Sequence, residues 1–234
     1  MGKAWKNPIK EQIAQKKGKL FTKLAKEISV AARLGGADPE GNPRLKLAIQ
    51  NARAASCPKD TIERAIKKGA GLLDGENQIE ELTYEGMAPF NVGVIVECQT
   101  DNKNRTVSEL RAAFKKNGGH LAESGSVLWM FERISLIEGT KEGEFDPEEE
   151  AIEAGANDVI QNEDGTYSFI GEKEDLDQIR KTLLQRGWDI QVAELSYKPK
   201  NLTELKPEEK EQVIEFLKKI DDLDDTARVH ATIE

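Results

Sequence analysis

Apolar residues recur at a helical period through the first third of the chain, and most of the remainder alternates β-branched runs with further helical stretches. In LFTKLAKEISVAARL, Leu20, Leu24, Ile28 and Ala31 fall on one side of a helix, and Gly35 and Gly36 supply its stop. NPRLKLAIQNARAA begins a second helix, with Asn42 as cap, Pro43 at the first helical position, and Leu45, Ala48, Ile49 and Ala52 as its apolar side. PKDTIERAIKKGAG reads as a third, with Ile62, Ala65 and Ile66 inward and Gly69 and Gly71 at its end. The polar stretch GLLDGENQIEEL then reads as a linker.

Beyond the linker the period changes. VGVIVECQT is a strand, DNKNRTVSELRAAFKKNGG a helix, and SVLWMFERISLIEG strand-like again. The stretches SLIEG, DPEEEAIEAG, DVIQ, TYSFIG, KEDLDQIRKTLLQRG and DIQVAELSYKP come in the order βαββαβ, the ferredoxin-like pattern. PEEKEQVIEFLKKIDDL and ARVHATIE supply one more helix and strand, which can complete the earlier, interrupted unit. The expected architecture is therefore α+β. A basic three-helix amino-terminal domain (1–76) precedes two α/β, ferredoxin-like domains, one discontinuous (77–133 and 201–234) and one inserted into it (134–200).

Charge sharpens this division. Residues 1–71 hold sixteen Lys or Arg against six Asp or Glu, a balance of +10, which leaves −19 for the rest of a chain whose formal charge is −9. Such an asymmetry marks a nucleic-acid-facing module joined to an acidic body, although a basic surface also serves solubility or an acidic protein partner. Lys16, Lys19, Lys23, Lys26 and Arg33 form one stripe of the first helix, with Glu27 beside it. Arg44, Lys46 and Arg53 on the second helix, with Lys59, Arg64, Lys67 and Lys68 on the third, extend the basic surface. Part of this is ordinary helix chemistry, because Lys67 and Lys68 also complement a helix carboxyl end. Base reading wants Arg, Asn or Gln at a helix front, and the segment offers far more Lys than Arg, with only Trp5 and Phe21 as aromatic residues, so phosphate contact with duplex DNA or structured ribosomal RNA fits better than base reading or single-strand stacking.

Little in the sequence points to catalysis. Cys57 and Cys98 have no metal or redox spacing, and His120 and His230 stand far apart with no third ligand. GADPEG copies the glycine spacing of a phosphate loop but continues with Asn42-Pro43 where Lys and Ser or Thr are required. The acidic run Asp221–Asp225 reads as hydrated acids at a helix end, with Mg²⁺ as a weaker alternative. No cofactor, metal or small-molecule substrate is expected. The lysine-rich amino terminus lacks the apolar centre of a secretory leader, an organelle leader would favour arginine where the first is Arg33, and no apolar run approaches the ~18 residues of a membrane span, which points to the cytoplasm. Arg105 stands in the first turn of its helix, where the dipole disfavours a cation, so it needs an anionic neighbour: an internal carboxylate or the phosphate of a ligand.

The long first segment FTKLAKEISVAARLGGADPEGNPRLKLAIQNARAASCPKDTIERAIKKGAG, together with TYEG, TDNKNRT, NGGHLAESGSVLWMF and DDLDD in that order, resembles the YebC family, which includes the mitochondrial translational activators of cytochrome oxidase. The resemblance covers nearly the whole chain. It implies a helical domain followed by two α/β domains and no enzyme. It also implies either promoter DNA binding in transcription regulation or action on the ribosome in translation. The family often opens M-A-G-H-S-K-W, and MGKAWKN keeps Lys3 and Trp5 of that opening without its histidine and serine.

Overall fold

The computed structural model describes residues 8–233, with side chains from Lys16 onward; the opening MGKAWKN lies outside the described residues. Its contacts fall into two compact units, one formed by the chain up to Ser126 with Leu205–Val229, the other by Val127–Glu204 with His230 onward.

The first unit begins with α1 (Pro8–Gly35), α2 (Pro43–Ala54) and α3 (Lys59–Gly69). Their shared core holds Ile28, Ala31, Leu45, Ala48, Ile49, Ala52, Ile62 and Ala65, with Leu24 and Ile66 packed against its edge. Leu20, although in phase with these residues, is not part of this core and stays 47% exposed. Asn42 caps α2 by accepting from the Leu45 N–H, and its amide donates to the carbonyls of Ala31 and Gly36, locking the α1–α2 turn. Where α3 meets α1, a side chain on Gly69 would drive its Cβ into the Ser29 carbonyl oxygen. Only glycine permits that approach, and the Ser29 hydroxyl donates to the Ala65 carbonyl (2.9 Å) beside it.

The sheet of this unit has the order β3-β1-β2-β8, with β1 (Glu80–Ala88), β2 (Val92–Thr100), β3 (His120–Leu121) and β8 (Thr226–Ala231). β1 runs antiparallel to β2 in an unbroken register from Glu80↔Thr100 to Ala88↔Val92. The sequence pattern predicts no strand here, and the expected linker extends to Leu82. EELTYEGMA carries three glutamates and few β-branched residues, so its pairing is imposed by the strongly strand-forming β2 beside it. Two helices of the unit, α4 (Lys103–Lys116) and α7 (Pro207–Asp221), meet through Phe114 and Phe216, whose rings pack edge to face at 5.1 Å. Cys57 and Cys98 are free and buried, and burial first of all pushes the Cys98 thiol up to about 12, consistent with packing residues.

The second unit has the sheet order β5-β6-β4-β7, from β4 (Phe131–Thr140), β5 (Asp158–Gln161), β6 (Tyr167–Glu172) and β7 (Asp189–Pro199). With α5 (Pro147–Ala154) after β4 and α6 (Leu176–Gln185) after β6, this is the expected βαββαβ arrangement, its first and third strands central. Asp146 caps α5 and Gly155 ends it in the left-handed region, at φ 79°.

Glu150 on α5 is buried among cations. Arg186 and Lys141 each approach it at 2.9 Å and the Trp188 indole N–H donates at 2.8 Å. The Arg186 hydrogen bonds foremost, aided by those of Lys141 and Trp188, outweigh burial and hold its carboxyl at about 2. A carboxylate depressed in this way adds stability that is fully present above the unfolded value of ~4.3 and is lost as pH falls toward the folded one. Glu150→Gln is therefore expected to lower the stability of this unit by about 2 kcal/mol at neutral pH and to abolish that part of its acid sensitivity. Urea titrations followed by Trp188 fluorescence from pH 7 down to 3 check it: equal curves for both proteins at pH 7 would contradict the assignment.

Candidate nucleic-acid interface

The basic residues of the first unit divide into those that meet carboxylates inside the unit and those that face solvent. Three of the α1 stripe belong to the former. Lys19 Nζ lies 2.9 Å from an Asp222 carboxylate oxygen, Lys23 donates to the Asp221 carbonyl, and Lys26 reaches the Asp225 carboxylate at 2.6 Å and the Asp224 carbonyl at 2.8 Å. One turn after another, α1 thus supplies ammonium groups to the carboxyl end of α7, where the helix leaves carbonyls without intrahelical partners. Three members of the expected stripe thus meet the acidic run, Lys19 with 44% of its side chain still exposed, and the acids of that run are not simply hydrated. Asp222 raises the Lys19 ammonium above its ordinary range, first through their hydrogen bond.

Asp225 is the centre of this contact. Its side chain is 4% exposed, and besides Lys26 it receives the Thr106 hydroxyl at 2.7 Å, the Thr100 hydroxyl at 3.1 Å and Arg105 at 3.0 Å. Burial alone would push its carboxyl up; the hydrogen bonds from Lys26, Thr106 and Arg105 prevail and hold it below the usual range. Asn102 caps α4, so Arg105 does stand in the first turn of that helix, and the anion it needs is internal: Asp225, with Asp101 at 3.2 Å.

Arg44 is likewise engaged. It forks onto Glu27 (2.8 and 3.1 Å) and reaches Glu81 at 2.6 Å, while Gln99 donates to Glu27 at 2.6 Å. Burial would raise the Glu27 carboxyl, yet the Arg44 hydrogen bond and charge keep it lowered. This cluster fastens α1 and α2 to β1 and β2. Arg33 is partly buried, its Nε without a hydrogen-bond partner among the described residues.

The remaining cations are on the outer sides of α2 and α3. Lys46, Gln50 and Arg53 recur at helical spacing and are exposed; Lys46 meets only Glu40, at 3.0 Å. On α3, Lys59 is 86% exposed with a weak i,i+4 pair to Glu63 at 3.5 Å, and Lys67 is exposed. Lys16 on α1 is exposed as well. Among the described residues no partner meets Lys16, Arg53 or Lys67. Arg64 and Lys68 flank the Glu76 carboxylate at 2.5 and 3.4 Å. α2 and α3 are joined by four residues, Ala55 to Pro58, with Ser56 in the left-handed region at φ 60°, so a short turn connects the two helices that carry the open cations. The sequence displays all of these residues but not their sorting. The one signal of that sorting is Arg105, whose unfavourable helix position already requires an acid from elsewhere in the chain.

The family model for the TACO1/YebC protein N-terminal domain matches residues 3–72, and that for the TACO1/YebC second and third domain matches residues 79–233. The chain belongs to the TACO1/YebC family. It is 63% identical over 233 residues to a probable transcriptional regulatory protein of Bdellovibrio bacteriovorus, with all of both chains covered. It is 48% identical to one of Pseudomonas syringae pv. syringae, with 98% of each covered. The crystal structure of a conserved hypothetical protein from Aquifex aeolicus, 44% identical, superposes with a TM-score of 0.84 over 93% of this chain and 90% of that one. Among the described residues, no helix is long and apolar enough to cross a membrane, and no three His, Cys, Asp or Glu side chains are grouped so as to hold a metal ion.

Proposed function

We propose that this TACO1/YebC protein is a non-enzymatic, nucleic-acid-binding regulator of gene expression, and that it acts as a DNA-binding transcriptional regulator. The observation that carries the reading is the set of open cations on α2 and α3, Lys46, Arg53, Lys59 and Lys67, in a chain that is otherwise strongly acidic. Lysines and arginines presented from helices without buried carboxylate partners suit the phosphate backbone, whose neutralisation releases condensed counterions. The description of its relatives as probable transcriptional regulatory proteins favours DNA as the target.

A second reading has an observation of its own. The exposed side chains of α3, Lys59, Asp60, Glu63, Arg64 and Lys67, include no amide to read adenine edges and only one arginine, which favours backbone contact over sequence reading. Structured ribosomal RNA then fits as well as DNA, and the protein would be a ribosome-associated translation factor.

The test is a titration of a labelled DNA duplex and a ribosomal RNA hairpin at several salt concentrations. With about five phosphates engaged, the expected slope of log affinity against log salt is near −4.5 on duplex DNA, or roughly 500-fold weaker binding between about 50 and 200 mM salt. The nucleic acid bound more tightly at the higher salt identifies the class of target. Absence of binding to either would contradict both readings.

A further inference from the structure

A groove of about 400 Å³ is lined by Phe21 and Ala25 of α1, by Arg64, Ala65 and Lys68 of α3, and by Glu76 and Ile79 of the segment that leaves α3. That segment contains neither helix nor strand from Leu72 to Ile79. Gly71 and Gly75, at its start and within it, adopt φ 72° and 74°, conformations that side-chain-bearing residues rarely take. From it Glu76 reaches back over the groove, one carboxylate oxygen 2.5 Å from Arg64 Nη2 and the other 3.4 Å from Lys68 Nζ. Arg64 and Lys68 are one helical turn apart on α3, so the two cations converge on a single position, and a carboxylate from the connecting segment fills it.

We infer that Glu76 stands in for a phosphate: the Arg64–Lys68 pair is a binding position for a backbone phosphate of nucleic acid, closed by the chain's own connecting segment until a phosphodiester displaces the carboxylate. The inference rests on the nucleic-acid reading proposed above and adds to it a defined site and an autoinhibitory contact. A phosphate presents acceptors to the same guanidinium fork and ammonium point charge that a carboxylate does, with a further oxygen. The hydrogen bonds from Arg64 first, then Lys68, lower the Glu76 carboxyl, so it is anionic when it occupies the position. The glycines on either side of Leu72 to Asp74 give the segment the backbone freedom to swing the carboxylate away. Lys68 has a second carboxylate neighbour, Asp101, in an ion pair at 3.6 Å, so its ammonium keeps a counterion beside the groove when Glu76 leaves.

The experiment uses the full chain and short labelled duplexes of DNA and of RNA, titrated between about 50 and 200 mM salt with wild type, Glu76→Gln, Arg64→Gln/Lys68→Gln, the triple combination, and Asp74→Asn as a control for net charge alone. Glu76→Gln is expected to tighten binding about two- to fivefold, the effect of removing one competing surface ion pair, and to steepen the salt slope by about 0.9. The gain should vanish in the Arg64→Gln/Lys68→Gln background, and Asp74→Asn should leave affinity unchanged. Circular dichroism verifies that each variant is folded, glutamine being a comparable helix former. Wild-type binding that Glu76→Gln leaves unaltered, or that Asp74→Asn raises equally, overturns this inference while leaving the nucleic-acid reading intact. Failure of wild type and Glu76→Gln alike to bind either duplex overturns both.

Discussion

Replacing Asp225 with alanine is expected to destabilise the first unit by about 3–5 kcal/mol, the cost of removing one member of a buried, hydrogen-bonded charge cluster. The side chain is 4% exposed, and its loss leaves the Thr100 and Thr106 hydroxyls without their carboxylate acceptor and Lys26, itself 15% exposed, without its counterion. Arg105 is 45% exposed and can rehydrate, so the larger part of the loss falls on Lys26 and the threonines. Asp225→Asn, which keeps an acceptor but not the charge, should fall between the alanine variant and wild type. The sign of the pH dependence is set by the lowered carboxyl: the contribution is complete above the unfolded value of ~3.9 and disappears as pH falls below it. Urea denaturation monitored by far-ultraviolet circular dichroism measures the effect at neutral pH, and a loss below about 1 kcal/mol would show that the cluster is not a structural keystone.

This cluster ties the basic segment to α4 and to the acidic end of α7, which share its compact unit. Three lysines of α1 meet the end of α7 almost two hundred residues later, at sequence separations of 203, 198 and 199. Contacts so distant leave no periodic trace in a sequence, which is why the stripe could be located on α1 but its acceptors could not. Local signals were legible where the chemistry is local. Asn42 caps α2, and the β-branched run of β2 is a strand, both as the local sequence indicates. β1 was hidden because its glutamates mask a pairing that β2 dictates, and Leu20 kept the period of a core residue at a point where no neighbour covers it. The candidate site was legible as a set of cations and illegible as a surface. Whether a lysine or arginine is open or closed depends on where the carboxylates of other elements fall, as with Glu27 and Glu81 on Arg44.

The second large effect concerns that surface. Replacing Lys46, Arg53, Lys59 and Lys67 together with glutamine is expected to flatten the salt dependence of DNA binding by about 3.6, four phosphates at about 0.9 each, and to weaken binding at about 50 mM salt by roughly two orders of magnitude or more. All four side chains are exposed and outside the core of Leu45, Ala48, Ile62 and Ala65, so the fold should survive. Lys19→Gln/Lys23→Gln, by contrast, removes two ammonium groups already matched by Asp221 and Asp222 and should leave the slope nearly unchanged. The two variants differ in which cations they remove, not in the kind of change made, so together they separate an exposed phosphate-binding face from lysines that serve the fold.

The measurement that tests the account most directly is therefore the slope of log affinity against log salt on one DNA duplex for wild type, the four-cation variant and the Lys19→Gln/Lys23→Gln variant. A slope near −4.5 is expected for wild type and for the α1 variant, and near −1 for the four-cation variant. Equal slopes for wild type and the four-cation variant, with the loss appearing instead in the α1 variant, would contradict it and place the nucleic-acid surface on α1.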